Sequence, residues 1–122
     1  DESEPTLQQA LAQGAVESAL EAFARATTLA PDEGLPWVYL GYCRHTLRST
    51  DPVAADQALA EVVVGCRLVP NAPDAHLLRA RLLRDRGKWP AARNAYERVL
   101  HLDPDHREAL DGLRAIALQL EA

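Results

Sequence analysis

Pro73 to His106 reads PDAHLLRARLLRDRGKWPAARNAYERVLHLDPDH, and these 34 residues decide the fold. His76, Ala80 and Leu83 recur at helical spacing, and Gly87 stands where a helix would stop. Ala92, Ala95, Tyr96, Val99 and Leu100 restart the same period until Pro104 ends it. The stretch therefore predicts a helix, a tight turn and a second helix, each with one apolar face.

Working outward, the same pattern returns twice toward the N-terminus. Pro31, Pro70 and Pro104 each close an amphipathic run at spacings of 39 and 34, and the two intervals are kept by Ala19, Ala58 and Ala92. They are kept again by Phe23, Val62 and Tyr96, by Ala26, Gly65 and Val99, and by Trp37, His76 and Leu110. The period is 34, with five extra residues between Gly41 and Ala58, where Arg48-Ser49-Thr50-Asp51-Pro52-Val53 has turn composition. Asp51 followed by Pro52 is a start signal, because Asp supplies an N-cap oxygen and Pro at the first helical position loses no hydrogen bond. Helix is expected from Ala54 to Val69. No segment alternates apolar and polar residues long enough for a sheet; Val62-Val63-Val64 is the one β-prone run and its flanks are helical.

A two-helix unit of this size cannot bury its own apolar face, so the units must stack. Gly41, Ala58, Ala80 and Ala92 are the small residues expected where helices approach most closely. The stack exposes a concave side lined by the first helix of each pair.

These residues resemble the tetratricopeptide repeat. Trp37-Val38-Tyr39-Leu40-Gly41 is similar to the family's Trp-x-x-Leu-Gly opening, and Gly87, Trp89, Ala92, Tyr96 and Asp103-Pro104 match its later columns. The resemblance implies an all-α, right-handed solenoid of three helix-turn-helix units plus a C-terminal capping helix, forming a single domain over 1–122. Its parts would be a degenerate repeat over 1–33, a lengthened one over 34–72, a well-formed one over 73–106, and a cap over 107–122 in which Leu110, Leu113, Ile116, Ala117 and Leu120 cover the last pair. Arg44 stands in place of the usual Tyr, and His76 and Arg79 in place of Trp and Leu, making those columns looser or more polar; the stem of Arg79 can still lie along the core. Some members hold a chaperone's C-terminal Glu-Glu-Val-Asp in a clamp of Lys and Asn. The matching positions here would be Glu4, Gln8, Tyr39, Asp74 and Leu78, so the basic clamp is absent and such tails are not expected to bind that way.

Composition narrows the function further. The chain has 122 residues, a net charge of -5 and no apolar run approaching the roughly 18 residues of a membrane span, so neither nucleic-acid binding nor membrane insertion is expected. Cys43 and Cys66 are too few for a disulfide scaffold and form no Cys-x-x-Cys pair; they read as small buried residues, with pairing left open. Twelve arginines against one lysine, with 22 alanines, point to a GC-rich, bacterial genome. The chain starts Asp1-Glu2-Ser3-Glu4-Pro5 without Met and reads as a segment of a longer protein; a cytoplasmic location is expected, with a periplasmic one left open.

No catalytic constellation stands out. The chain has no phosphate loop, no His-Glu-x-x-His and no Gly-x-Ser-x-Gly, and His101, Asp103, Asp105 and His106 straddle a helix end and the Pro104 turn, where capping accounts for them better than a metal does. No enzyme activity, cofactor or metal is expected. The expected function is a protein-protein interaction module whose concave groove holds a peptide or protein segment. Tyr39, Tyr42, Leu77 and Leu78 would supply apolar area to that partner. Arg81, Arg84 and His45 would pair with its carboxylates, because Arg79, Arg81, Arg84 and Arg86 crowd into eight residues of an otherwise acidic chain. The alternative is a structural or self-associating spacer within a larger protein.

Overall fold

The computed structural model describes residues 7–48 and 50–121. Among these are six helices: α1 (Leu7–Leu29), α2 (Gly34–Leu47), α3 (Pro52–Leu68), α4 (Pro73–Asp85), α5 (Trp89–Leu102) and α6 (Arg107–Glu121). None is long and apolar enough to cross a membrane. Neighbours in sequence pack against each other throughout, and α2 also packs against α4, so the first helices of successive pairs lie side by side.

The helix boundaries follow from local chemistry. The Asp51 side chain accepts from the Val53 and Ala54 amides at 3.0 and 3.5 Å, capping α3 ahead of Pro52 as the Asp-Pro signal predicts. Gly87 adopts φ +70, a left-handed turn that an L side chain resists, and the Lys88 amide closes the end of α4 on the Leu83 carbonyl at 2.9 Å. Of the five extra residues in the second unit, two lie ahead of α3 and three lengthen it to 17 residues, against 14 in α5.

The helix pair expected in the first unit is, among the described residues, one continuous helix of 23 residues. Nothing between Gln13 and Val16 can stop it: there is no Pro and no capping residue, and an isolated Gly14 costs a helix only about 1 kcal/mol. Counted back one repeat, the last 17 residues of α1 correspond to α3, so α1 stands in the place of a second helix. On α3, Ala58, Val62 and Gly65 meet α2 together with Glu61 and Leu68; on α1 the counterparts of the first three, Ala19, Phe23 and Ala26, are half-buried, while those of the last two, Ala22 and Leu29, are exposed, Leu29 by 84%.

Two apolar clusters meet on α4. Leu78 and Leu82 join Val38, Ala58, Val62 and Cys66, whereas Leu77, Ala80 and Leu83 join Ala92, Tyr96, Val99 and Ile116. The small residues act as expected: a Cβ on Gly41 would come within 2.5 Å of the Ala58 carbonyl oxygen, so only glycine admits α3 this closely. In α6, Ile116 is buried and Leu110 and Leu113 are half-buried, while Ala117 and Leu120 are exposed, so the cap covers α5 with a narrower stripe than expected. Cys43 and Cys66 are free thiols; Cys66 is buried and Cys43 half-buried.

The departures at 44 and 76 are not loose. Arg44 donates from Nε and Nη2 to both oxygens of Glu61, at 2.7 and 3.0 Å, joining α2 to α3. His76 Nε2 lies 2.8 Å from the Pro70 carbonyl oxygen, and the stem of Arg79 is half-buried as expected.

Candidate functional site

The groove expected over the first helices would lie on α2 and α4, which pack side by side, with the lengthened second unit at one end. A cavity of about 790 Å³ is lined there by Tyr42, His45 and Thr46 of α2, by Thr50, Pro52 and Ala55 of the inserted segment and α3, and by Asp85 and Arg86 at the end of α4. Tyr42 is half-buried and faces His45 at 6.2 Å between ring centroids and Arg81 at 6.0 Å. His45 is buried, with Nε2 3.0 Å from Asp85 Oδ2; this contact joins α2 to α4, and His45 Nδ1 has no partner.

Three of the expected contact residues lie elsewhere. Leu77 and Leu78 are 7% and 8% exposed, one in each core cluster, because α4 is packed on one side by α2 and α3 and on the other by α5. Tyr39 is half-buried and stacks on Phe23 of α1, with centroids 5.3 Å apart. It fastens α1 rather than facing the groove.

The arginine cluster is also spent inside the chain. Arg81 donates through Nε and Nη2 to both oxygens of Glu108 in α6. Arg84 bonds to Asp85 and, from Nη1, to the Tyr96 hydroxyl at 3.2 Å; Arg86 reaches Asp56 at 2.8 Å and the Ala55 carbonyl. The positive patch expected from the sequence is therefore neutralised at Arg81, Arg84 and Arg86 by ion pairs, while Arg79 Nε is buried without a hydrogen bond. The hydrogen bonds that Arg81 donates to Glu108 hold its guanidinium above its ordinary value, and the same bonds hold the Glu108 carboxyl below the usual carboxylate range. Partial burial raises the Asp85 carboxyl, but the hydrogen bonds from His45 and Arg84 outweigh it, and the net shift is downward.

Sequence reasoning missed Glu108, Asp85 as the partner of His45, and the wall at Thr50 and Pro52. Asp85 shares a helical face with Arg81, and the insertion was visible as broken periodicity, but Glu108 carried no local signal. Of the absent clamp's positions, Asp74 is exposed and acidic and Leu78 is buried; Glu4 lies outside the described residues, as does the side chain of Gln8. His106 accepts the Ala109 amide on Nδ1 at 3.3 Å, a capping contact for α6, and no group of three or more His, Cys, Asp or Glu among the described residues is placed to hold a metal.

Stacked helix pairs with a groove over their first members define a helical repeat solenoid. The resemblance to the tetratricopeptide repeat holds: residues 73–118 match that family, and the described chain has the fold of its domains. The first tetratricopeptide domain of Spaghetti (RPAP3), bound to the HSP90 peptide SRMEEVD, matches with a TM-score of 0.79 and 21% identity, over 92% of this chain and 87% of that one. The first such domain of human RPAP3 matches with a TM-score of 0.79 and 22% identity, over 91% and 84%. No curated protein matches the sequence.

Proposed function

We propose that this chain is a non-catalytic protein-protein interaction module that holds a peptide or protein segment in the groove over α2 and α4. The observation that carries this reading is the open cavity beside Tyr42, an aromatic side chain left half-buried next to a wall that the second repeat adds to the regular pattern. Aromatic and arginine side chains carry most interface energy, and Tyr42 and Arg86 line the cavity, with Arg81 beside the Tyr42 ring. The Spaghetti domain with the same fold was solved with a peptide bound, which favours a peptide-sized occupant here.

The occupant is not gripped through a basic clamp, because the matching described positions are Tyr39, Asp74 and Leu78. A peptide ending in Glu-Glu-Val-Asp, titrated by calorimetry, is expected to show no binding that depends on its terminal carboxylate. The module reading is tested by capturing a partner with the wild-type chain and mapping it by amide chemical shifts. Shifts centred on Tyr42, Thr46 and Asp85, lost in Tyr42→Ala, support the groove; shifts confined to another face sink it. A spacer role draws on the exposed Ala15–Ala22–Leu29 face instead, and a tight dimer in light scattering would favour it.

A further inference from the structure

The contact between Arg81 and Glu108 has the form of a ligand contact. Two parallel donors of one guanidinium meet two oxygens of one carboxylate, the fork by which arginine holds any carboxylate. Arg81 projects from the groove face of α4 beside the Tyr42 ring, and Glu108 comes from the first turn of α6. α6 packs on α5, and its Ala109 and Ile116 share a core cluster with Leu77, Ala80 and Leu83 of α4, so the ion pair is a second, more exposed link between these two helices. Its two side chains remain 30% and 38% exposed, within reach of a molecule lying in the groove.

We propose that Arg81 is the groove's anchor for an Asp or Glu side chain of the partner segment, and that Glu108 is a built-in competitor that occupies the anchor until such a segment displaces it. The proposal rests on the groove reading above and names the chemistry of its occupant. Exchanging one carboxylate for another leaves Arg81 with the same two charge-assisted bonds, and the released Glu108, already partly exposed, returns to water at little cost. A neutral amide cannot make this exchange, because it offers one acceptor where the guanidinium faces two. The competitor lowers the apparent affinity of every acidic segment by the fraction of time Arg81 is occupied, so the groove rejects a segment whose other contacts are poor.

The test uses three capped or free seven-residue probes with isotope-labelled protein: a capped peptide with three glutamates, its glutamine counterpart, and a neutral peptide with a free C-terminal carboxylate. Glu108→Gln is expected to bind the glutamate peptide roughly 5- to 150-fold more tightly than wild type, the usual span of a coupling between two sites. The glutamine peptide should gain nothing, the single terminal carboxylate should gain less than the three glutamates, and Arg81→Gln added to Glu108→Gln should remove the gain. Groove amides that shift equally in wild type and Glu108→Gln overturn this proposal and leave the groove reading standing. No groove shift with any probe in any variant overturns the proposal and counts against the groove as well. A gain that survives loss of Arg81, or that appears equally with the free C-terminus, also overturns it. If Glu108→Gln fails to fold, Glu108→Asp, one methylene shorter, takes its place with a smaller gain expected in the same direction.

Discussion

Trp37 and His76 make the same bond one repeat apart. The Trp37 Nε1–H donates to the Pro31 carbonyl at 2.9 Å, and His76 Nε2 lies 2.8 Å from the Pro70 carbonyl, each spanning six residues back to the proline that closes the preceding helix. Histidine therefore replaces tryptophan's polar function while giving up its area. His76 is 7% exposed, so His76→Phe would leave the Pro70 carbonyl with only a longer contact from Arg98. A loss of about 1 to 2 kcal/mol in urea unfolding is expected, whereas Trp37→Phe, in a more open place, should cost less.

Glu61 is 8% exposed and bonded twice to Arg44, so Glu61→Ala should lower stability by about 1.5 to 3 kcal/mol by stranding the guanidinium. The pair Arg44→Met, Glu61→Leu removes both charges together and should recover most of that loss. Chemical denaturation of the three proteins checks it; equal losses in the single and double variants would refute the account.

Gly112 and Gly14 should respond with opposite signs to the same change. A Cβ on Gly112 would lie 2.6 to 2.8 Å from three ring carbons of the buried Tyr96, so Gly112→Ala is expected to cost about 1 to 3 kcal/mol. Nothing lies within 4 Å of a Cβ on Gly14, inside α1, where Gly14→Ala should add about 0.5 to 1 kcal/mol. Melting temperatures of both variants decide the matter.

Acid should weaken the fold through Glu108 and Asp85. Both carboxyls sit below their ordinary values of 4.5 and 3.8, so the unfolded chain takes up these protons before the folded one does. Their stabilisation is complete above the ordinary values and is lost as pH falls below about 5 through the folded ones. Melting curves at pH 7 and pH 3 should show that loss, and Glu108→Gln should show less of it.

Burial pushes the Cys66 thiol up to about 11, and burial also raises Cys43. Thiol titration at pH 8 should find two free cysteines, with Cys66 reacting at full rate only after denaturant is added.

Much of the fold was legible because the repeat is written in local signals. Asp51-Pro52 started a helix and Gly87 ended one where their chemistry requires. The degenerate first unit, expected as a helix pair, misled instead, since without a proline or a cap nothing interrupts α1. The site was legible only in part. Helical spacing placed Tyr42, His45 and Arg81 on one face, but it also placed Leu77 and Leu78 near that face, and only the packing of α2, α3 and α5 around α4 buries them. Asp85 is a local partner of Arg84, but those of Arg81 and Arg86 could not be read, because Glu108 lies 27 residues beyond Arg81 and Asp56 lies 30 before Arg86.

The two ends of the described stack differ in charge. Outward from α6 stand Arg107, Asp111 and Arg114, the last two within 3.7 Å of each other, and the stripe ends on Leu118, 70% exposed. Outward from α1 stand Ala15, Ala22 and Leu29, in the register that receives a first helix on α3. A helix laid on the Ala15–Ala22–Leu29 face of α1 would meet small and apolar side chains, whereas one laid on α6 would first have to displace the charges of Arg107, Asp111 and Arg114.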